Sequence, residues 1–421
     1  MTRWLQPRDI EDLKTARRQP VAPETLREAA DIVEDVRDGG EPALREHSER
    51  HGDLEAGADI VVDRERLKDA LVSLPPGPRQ LLERVAARIR SFAEAQRSCL
   101  GDLDHDVPGG RAGHRWVPVR SAGAYAPGGR HPLPSSVLMT VVPARVAGVD
   151  TVWVASPRPT PITLAAAALA GADGLLAVGG AQAIAALAFG TVSPACDLVV
   201  GPGNRWVTAA KKHLYGEIGI DGLNGPSEVL VIADNHADPE LVAADLLAQA
   251  EHDADAVPGL ISTSEKLADD VEHAIGRQLS DLPTATTAAE ALRNGFCIIV
   301  GSLPQAATAA ELMAPEHLAL HVDDASDLAA NLRSYGSVFI GQGSAETFAD
   351  YGLGPNHVLP TGGTARFQSG LSVSTFLRSP TWSRLDDPAE IIADTALLAR
   401  LEGLEAHARA AELRSRTNLG V

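Results

Sequence analysis

The sequence predicts an α/β protein with two doubly wound, Rossmann-like parallel-sheet domains and small helical N- and C-terminal segments. Between Ser135 and Asp234, and again after Asp234, short apolar β-rich runs alternate with helices and glycine turns. Continuous apolar strands alternating with helices imply parallel sheets covered on both faces. At 421 residues, 44% of them hydrophobic, the chain is also long enough for about two or three domains with sizeable cores.

Taken in order, residues 22 to 50 read as two charged amphipathic helices separated by Gly39-Gly40. A short strand at Asp59–Val62 precedes another helix, and a long amphipathic helix runs from about Gln80 to Cys99. Gly109 to Val119 reads as a hairpin, with alternation in His114-Arg-Trp-Val-Pro-Val119. Strands follow at Thr151–Ala155, Leu175–Val178, Leu198–Val200 and Val229–Ile232, then at Leu260–Ser262, Cys297–Val300, Leu318–His321 and Val338–Ile340, with helices between them. The tail from Pro388 to Thr417 reads as helical. The expected division is an N-terminal helical segment (1–20), a discontinuous first α/β domain (21–124 with 228–370), a second, nucleotide-binding α/β domain (125–227) and a C-terminal helical segment (371–421).

Composition narrows the function classes. Thirty-seven basic against fifty-six acidic residues give a net charge of −19, which argues against nucleic-acid or anionic-membrane surfaces and for small-molecule partners. Cys99, Cys196 and Cys297 lie far apart, so neither a disulfide framework nor a thiolate zinc site is supported. The first eight residues lack a signal-peptide core. Thr163 to Val192 is the most membrane-like stretch, but Asp173, Gln182 and several glycines interrupt it before about twenty clean apolar residues accumulate. A cytoplasmic location with no membrane contact is expected.

Gly-x-Gly-x-x-Gly, the usual dinucleotide loop, does not occur: Gly341-Gln-Gly343-Ser-Ala-Glu346 ends in an acid and Gly201-Pro-Gly203-Asn204-Arg-Trp206 in an aromatic residue. Nucleotide candidates are instead the strand-to-helix turns Gly201–Asn204 and Gly179–Gln182, since ligands of an open α/β sheet sit at carboxyl-end turns. Tyr125, opening Tyr125-Ala-Pro-Gly-Gly-Arg-His-Pro132, can stack or hydrogen-bond a ligand, although a rigid linker explains the same residues. In Asp245-Leu-Leu-Ala-Gln-Ala-Glu-His-Asp253 helical periodicity puts Gln249, His252 and Asp253 on one face and Glu251 elsewhere. Gln249 and His252 can share a cation, while a histidine in a last helical turn is also favourable simply against the dipole. Glu316-His317 supplies two titratable groups between a helix and a strand. Asp350, beside Tyr351, and His407 would complete an N/O ligand set with Gln249 and His252, hard enough for a catalytic divalent ion.

The stretches PGGRHPLPSSVLM, GGAQAIAALAFGT, GPGNRWVTAAK, GPSEVLVIAD, DLLAQAEHD, APEHL, GPNHVLPTGGTARF, SGLSVSTFL and EGLEAH, in order from about residue 127 to 407, together resemble the histidinol dehydrogenase family. That resemblance implies one zinc per site held by Gln249, His252, Asp350 and His407, and NAD contacts at Tyr125, Gln182 and Asn204. It implies substrate contacts at Ser227, Gln249, His252, His317, Asp350, Tyr351, Glu402 and His407. The implied reaction is the four-electron oxidation of L-histidinol to L-histidine, ending histidine biosynthesis, with two NAD used in turn. His317 is then the base that takes the alcohol proton, and Glu316 activates water for attack on the aldehyde. A homodimer is implied, its C-terminal segment crossing so that Glu402 and His407 serve the partner's site.

Three departures touch none of those residues: Asn224 before Gly-Pro-Ser227-Glu, Ala319 after Glu-His-Leu, and Arg130-His131 after the glycine pair. They leave open a paralogue that oxidises another amino, hydroxy or sulfonated alcohol. A zinc hydrolase using Glu316 to activate water, and a two-lobed binding protein without catalysis, are further alternatives.

Overall fold

The computed structural model describes residues 3–14, 21–128 and 132–416. The chain opens with β1 (Gln6–Pro7), α1 (Ile10–Lys14), α2 (Pro23–Arg50), β2 (Val61–Asp63), α3 (Arg64–Ser73) and α4 (Pro76–Ser98). A hairpin of β3 (Leu103–Val107) and β4 (Gly110–His114) and the short β5 (Val117–Pro118) lead into β6 (Ser121–Tyr125). The first alternating stretch is α5 (Pro134–Ala147), β7 (Thr151–Ala155), α6 (Pro161–Ala170), β8 (Gly174–Leu176), α7 (Gly180–Phe189), β9 (Leu198–Val200), α8 (Arg205–Leu214) and β10 (Gly219–Ile220).

The second is β11 (Glu228–Ala233), α9 (Pro239–Ala250), β12 (Val257–Ser262), α10 (Glu265–Leu279), α11 (Ala285–Ala291), β13 (Phe296–Ile299), α12 (Leu303–Met313), β14 (His317–His321), α13 (Ala325–Ala330), β15 (Ser337–Ile340) and α14 (Glu346–Asp350). Strands β16 (Leu377–Arg378) and β17 (Thr381–Leu385) precede α15 (Ala389–Leu401) and α16 (Glu405–Leu413).

Two six-stranded sheets result, ordered β1-β13-β12-β11-β14-β15 and β10-β9-β6-β7-β8-β2. The first is parallel throughout; the second is parallel except where β2 runs antiparallel along β8. Apart from the edge strands β1 and β2, each sheet starts at a central strand, β11 or β6, builds one side, then crosses to the other, which is the doubly wound arrangement. Alternate residues of β11 feed opposite apolar layers: Val229, Val231 and Ala233 pack with α9 and α10, whereas Leu230 and Ile232 pack with residues of α12 and α13. That two-sided burial is why its sequence is apolar without alternation.

Four expectations need correction. Residues 21–124 do not join 228–370: β2 pairs with β8, β6 lies between β7 and β9, and α2 packs on α7 and α8. The N-terminal segment is not only helical, because β1 forms the edge of the first sheet beside β13; residues 15–20 lie outside the described residues. Residues 371–421 are not helical throughout: β16 pairs with β5 and β17 with β4, and the α-helices begin at Ala389. The hairpin lies at 103–114 rather than 109–119.

Strand β6 reads poorly in sequence because Ser121-Ala-Gly-Ala-Tyr125 is made of small residues. A Cβ at Gly123 would sit 2.9 Å from a methyl of Leu187, so α7 lies against β6 too closely for the branched residues that mark strands. Helix α2 is the expected pair merged across a kink at Gly40, where φ is 60° and ψ −141°, with Pro42 two residues on.

Candidate active site

Sheet register brings together residues that are far apart in sequence. His317 opens β14 and stands beside Val229 of β11, so Glu316, His317 and Glu228 share the amino edge of the first sheet. Helix α9, running antiparallel to the strands it covers, delivers Gln249 to that edge at its last turn, and Asp350 arrives at the end of α14. Two helix C-termini and several carboxyl groups therefore point negative charge at one place, which favours a cation.

The Nδ1 of His317 lies 3.2 Å from the Glu228 carbonyl oxygen and 3.2 Å from Gln249 Oε1. Both are acceptors, so Nδ1 carries the hydrogen and Nε2 keeps its lone pair. Burial pushes the His317 pKa down to about 4, outweighing the nearby charge of Asp350, and the ring is neutral at neutral pH. Burial also raises Glu316 well above the carboxylate range, although its Oε2 accepts the Glu228 N–H at 2.9 Å. The same cause, with help from Asp350, Asp245 and Glu316, raises Glu346.

His252 lies just beyond α9, its Nε2 3.8 Å from Asp350 Oδ2 and its side chain 47% exposed. Gln249 is fully buried, and its Nε2 has no hydrogen-bond partner. Asp253 does not join this face: it accepts the Asp255 N–H within its own turn. Glu251 turns away to accept the Thr284 hydroxyl at 2.7 Å. His357 Nδ1 donates its hydrogen to the Asp350 carbonyl oxygen at 3.1 Å, and burial lowers the pKa of the ring.

The sequence assigns no role to three residues of this site. Glu228 stands within the Gly-Pro-Ser-Glu run, Glu346 stood out only as the acid spoiling a glycine motif, and His357 follows Asn356 in a loop. Both oxygens of Glu346 are buried without a hydrogen-bond partner, and its Oε2 is 3.8 Å from His317 Nδ1. Nothing local in sequence marks such a residue; only the packing of α14 over the sheet edge does.

The nucleotide candidates converge at the opposite, carboxyl edge of the second sheet. Tyr125 ends β6, Gln182 lies in the first turn of α7, and Asn204 caps α8 by accepting the N–H groups of Trp206 and Val207. All three line one cavity of about 670 Å³ with Asp53, Arg158 and Trp206, a volume within the usual ligand range. Tyr125 and the Gly201–Asn204 turn flank the β6/β9 boundary, where the strand order reverses and such sheets bind ligands. The Tyr125 hydroxyl accepts the Gly180 N–H at 3.3 Å, and Gln182 Nε2 donates to Asp53 at 3.0 Å.

The remaining expected residues are dispersed. Ser227 immediately precedes Glu228 and is half-buried, and Tyr351 follows Asp350 with 64% exposure. Glu402 and His407 lie exposed on the α15–α16 pair, and among the described residues no side-chain hydrogen bond or ion pair ties them to Gln249, His252 or Asp350. Arg130 and His131 lie outside the described residues. A different set, Asp234, His236 and Asp323, brings its ligand atoms within 4.8 Å of one another. It is a turn brace: Asp234 accepts the N–H groups of both other residues.

A family model described as histidinol dehydrogenase matches residues 15–415. The chain is 46% identical over 387 residues to histidinol dehydrogenase of Thermus thermophilus, covering 91% of this chain and 93% of that protein. It is 47% identical over 393 residues to that of Haloarcula marismortui, with 91% and 92% covered. The solved histidinol dehydrogenase of Elizabethkingia anophelis superimposes with a TM-score of 0.92 at 32% identity, covering 99% of both chains. With its two doubly wound sheets, its buried Glu-His pair and its matches along almost the whole length, the chain belongs to the histidinol dehydrogenase family of oxidoreductases.

Proposed function

We propose that the protein oxidises L-histidinol through the aldehyde to L-histidine, in the last steps of histidine biosynthesis, using one zinc per site and two NAD in turn. The observation that carries this reading is the buried, neutral His317 beside Glu316 at the edge where Gln249, His252 and Asp350 converge. Atoms balance as one alcohol, two NAD⁺ and one water giving one carboxylate, two NADH and three protons.

The residues present fit a divalent cation. His252 and Asp350 offer a nitrogen and an oxygen 3.8 Å apart, close enough for both to bind one ion at about 2.0–2.2 Å. The unpartnered oxygens of buried Glu346 and the crowding of four acids are what a cation compensates. Gln249, His252 and Asp350 would hold it, with His407 supplied by the partner subunit. Bound zinc supplies a fixed anchor for the substrate's nitrogens and bound NAD the hydride acceptor.

His317 then does proton work. Its Nδ1–H is held by two carbonyl oxygens, which orients the ring and leaves Nε2 to take the alcohol proton as hydride departs. Glu316, a strong base once ionised because burial raises its pKa, takes a proton from the water that attacks the aldehyde. For NAD, Tyr125, Gln182 and Asn204 line a cavity of suitable size at the switch point. A homodimer is supported by Leu397, Leu398 and Leu401, at 61%, 59% and 77% exposure on α15, an apolar surface of the kind that marks an interface. No helix among the described residues is long and apolar enough to cross a membrane, in keeping with the proposed cytoplasmic location.

Incubating zinc-loaded protein with histidinol and NAD should give two NADH per histidinol and histidine as product; no cofactor reduction removes the reading. Asn224 favours one second reading, a different alcohol. Its carbonyl accepts the Thr208 hydroxyl at 2.6 Å, and the residue is buried three positions from Ser227, where a change reshapes the substrate side. A panel of amino, hydroxy and sulfonated alcohols separates the two.

A further inference from the structure

Gly201 follows β9 with a φ of +113°, and a Cβ there would stand 2.1 Å from the Tyr125 carbonyl oxygen. Only glycine lets this turn press on the end of β6. Both of its peptide polar groups are then held by buried charges. The Gly201 N–H donates to Asp221 Oδ2 at 2.7 Å, and its carbonyl accepts from Lys211 Nζ at 3.0 Å. Lys211 and Asp221 also pair with each other, each side chain only 2% exposed.

A buried ion pair gives little net stability over apolar residues of the same size, so stability does not account for this one. What it does that an apolar pair does not is fix one peptide from both sides. Lys211 stands in the second turn of α8, the helix capped by Asn204, and Asp221 follows β10 at the start of the segment that crosses to β11. The Thr208 hydroxyl, also on α8, ties down the same segment at Asn224. One pair thus links the turn carrying Asn204, the end of β6 carrying Tyr125, and the crossing that carries Ser227.

We propose that Lys211 and Asp221 are positioning residues for the dinucleotide, holding the Gly201–Asn204 turn against Tyr125 so that the cavity keeps the shape NAD needs. This rests on the reading that NAD occupies that cavity. The test compares wild type with the double variant Lys211→Met/Asp221→Leu, in which no charge is left buried, by calorimetric titration of NAD into the zinc-loaded dimer. Steady-state kinetics and thermal unfolding accompany it.

The expected result is a melting temperature near wild type, unchanged zinc content, a Kd and KM for NAD raised on the order of tenfold, and kcat at saturating NAD within about twofold. A folded double variant that binds NAD like wild type overturns the inference and leaves the cofactor reading intact. Wild type that binds no NAD overturns both. Should the double variant not fold, Asp221→Asn, nearly isosteric and still an acceptor for Gly201 N–H, takes its place. A raised KM for NAD at constant kcat then supports the inference, and wild-type affinity overturns it.

Discussion

His317 is neutral because burial outweighs the attraction of Asp350, and it is oriented because two carbonyls hold its Nδ1. Replacing it with asparagine keeps a donor but removes the basic nitrogen, so His317→Asn should lower oxidation of the alcohol by about 10²–10⁴-fold. Glu316→Gln should spare that step and depress oxidation of the aldehyde; stopped-flow assays begun from each substrate measure the two losses, and equal losses contradict the division of labour. The cysteines give an independent check on the packing. Burial pushes the Cys196 thiol up to about 12 and the Cys297 thiol up to about 11, whereas Cys99 is exposed. At pH 8 a thiol reagent should therefore modify Cys99 quickly, the half-buried Cys297 more slowly and the buried Cys196 only after unfolding. The Cys196 and Cys297 thiols hold their protons to higher pH than the unfolded chain does, about 8.5. Stability should accordingly fall as pH rises from there towards 11–12, which thermal unfolding across that range will register.

At the scale of elements, parallel strands with opposed helices decide where chemistry sits. In the second sheet Tyr125, Gln182 and Asn204 lie at strand carboxyl ends, where open α/β sheets usually bind ligands. In the first sheet Glu316, His317 and Glu228 lie at amino ends, where the C-termini of α9 and α14 contribute Gln249 and Asp350. A cation suits that edge for the same dipole reason that a phosphate suits the other. The packing of α7 on β6 depends on Gly123, whose Cβ position is filled by Leu187. Gly123→Val should overpack that contact and cost about 1–3 kcal/mol of stability, measured by chemical denaturation, with a weakened affinity for NAD because Tyr125 ends the same strand.

At the scale of the whole molecule, α15 and α16 pack on each other through Ala396, Ala399 and Ala408 while keeping their leucines outward. Ending the chain at Pro388 should yield a monomer in sedimentation analysis and weaken zinc binding, since the proposed ligand His407 is lost. Chelating the proposed zinc should abolish turnover and lower unfolding free energy by about 2.7 kcal/mol relative to protein held at a hundredfold excess over Kd; readdition should restore both.

Most strands of both sheets were legible in the sequence because two-sided burial writes a continuous apolar run into each, as in Glu228–Ala233. The Glu316-His317 pair was legible because adjacency is local, whereas the helical spacing expected of Gln249 and His252 holds only for Gln249, since α9 ends at Ala250 and His252 lies in the turn beyond it. Three things were decided only in three dimensions. β6 is hidden by the small residues that let α7 approach. The partnership of β2 with β8 depends on a register that no local pattern encodes. Glu228 and Glu346 join the candidate site only when β11, β14 and α14 meet, because the burial that raises the pKa of Glu346 and leaves its oxygens unpartnered belongs to the packed whole and not to any stretch of chain.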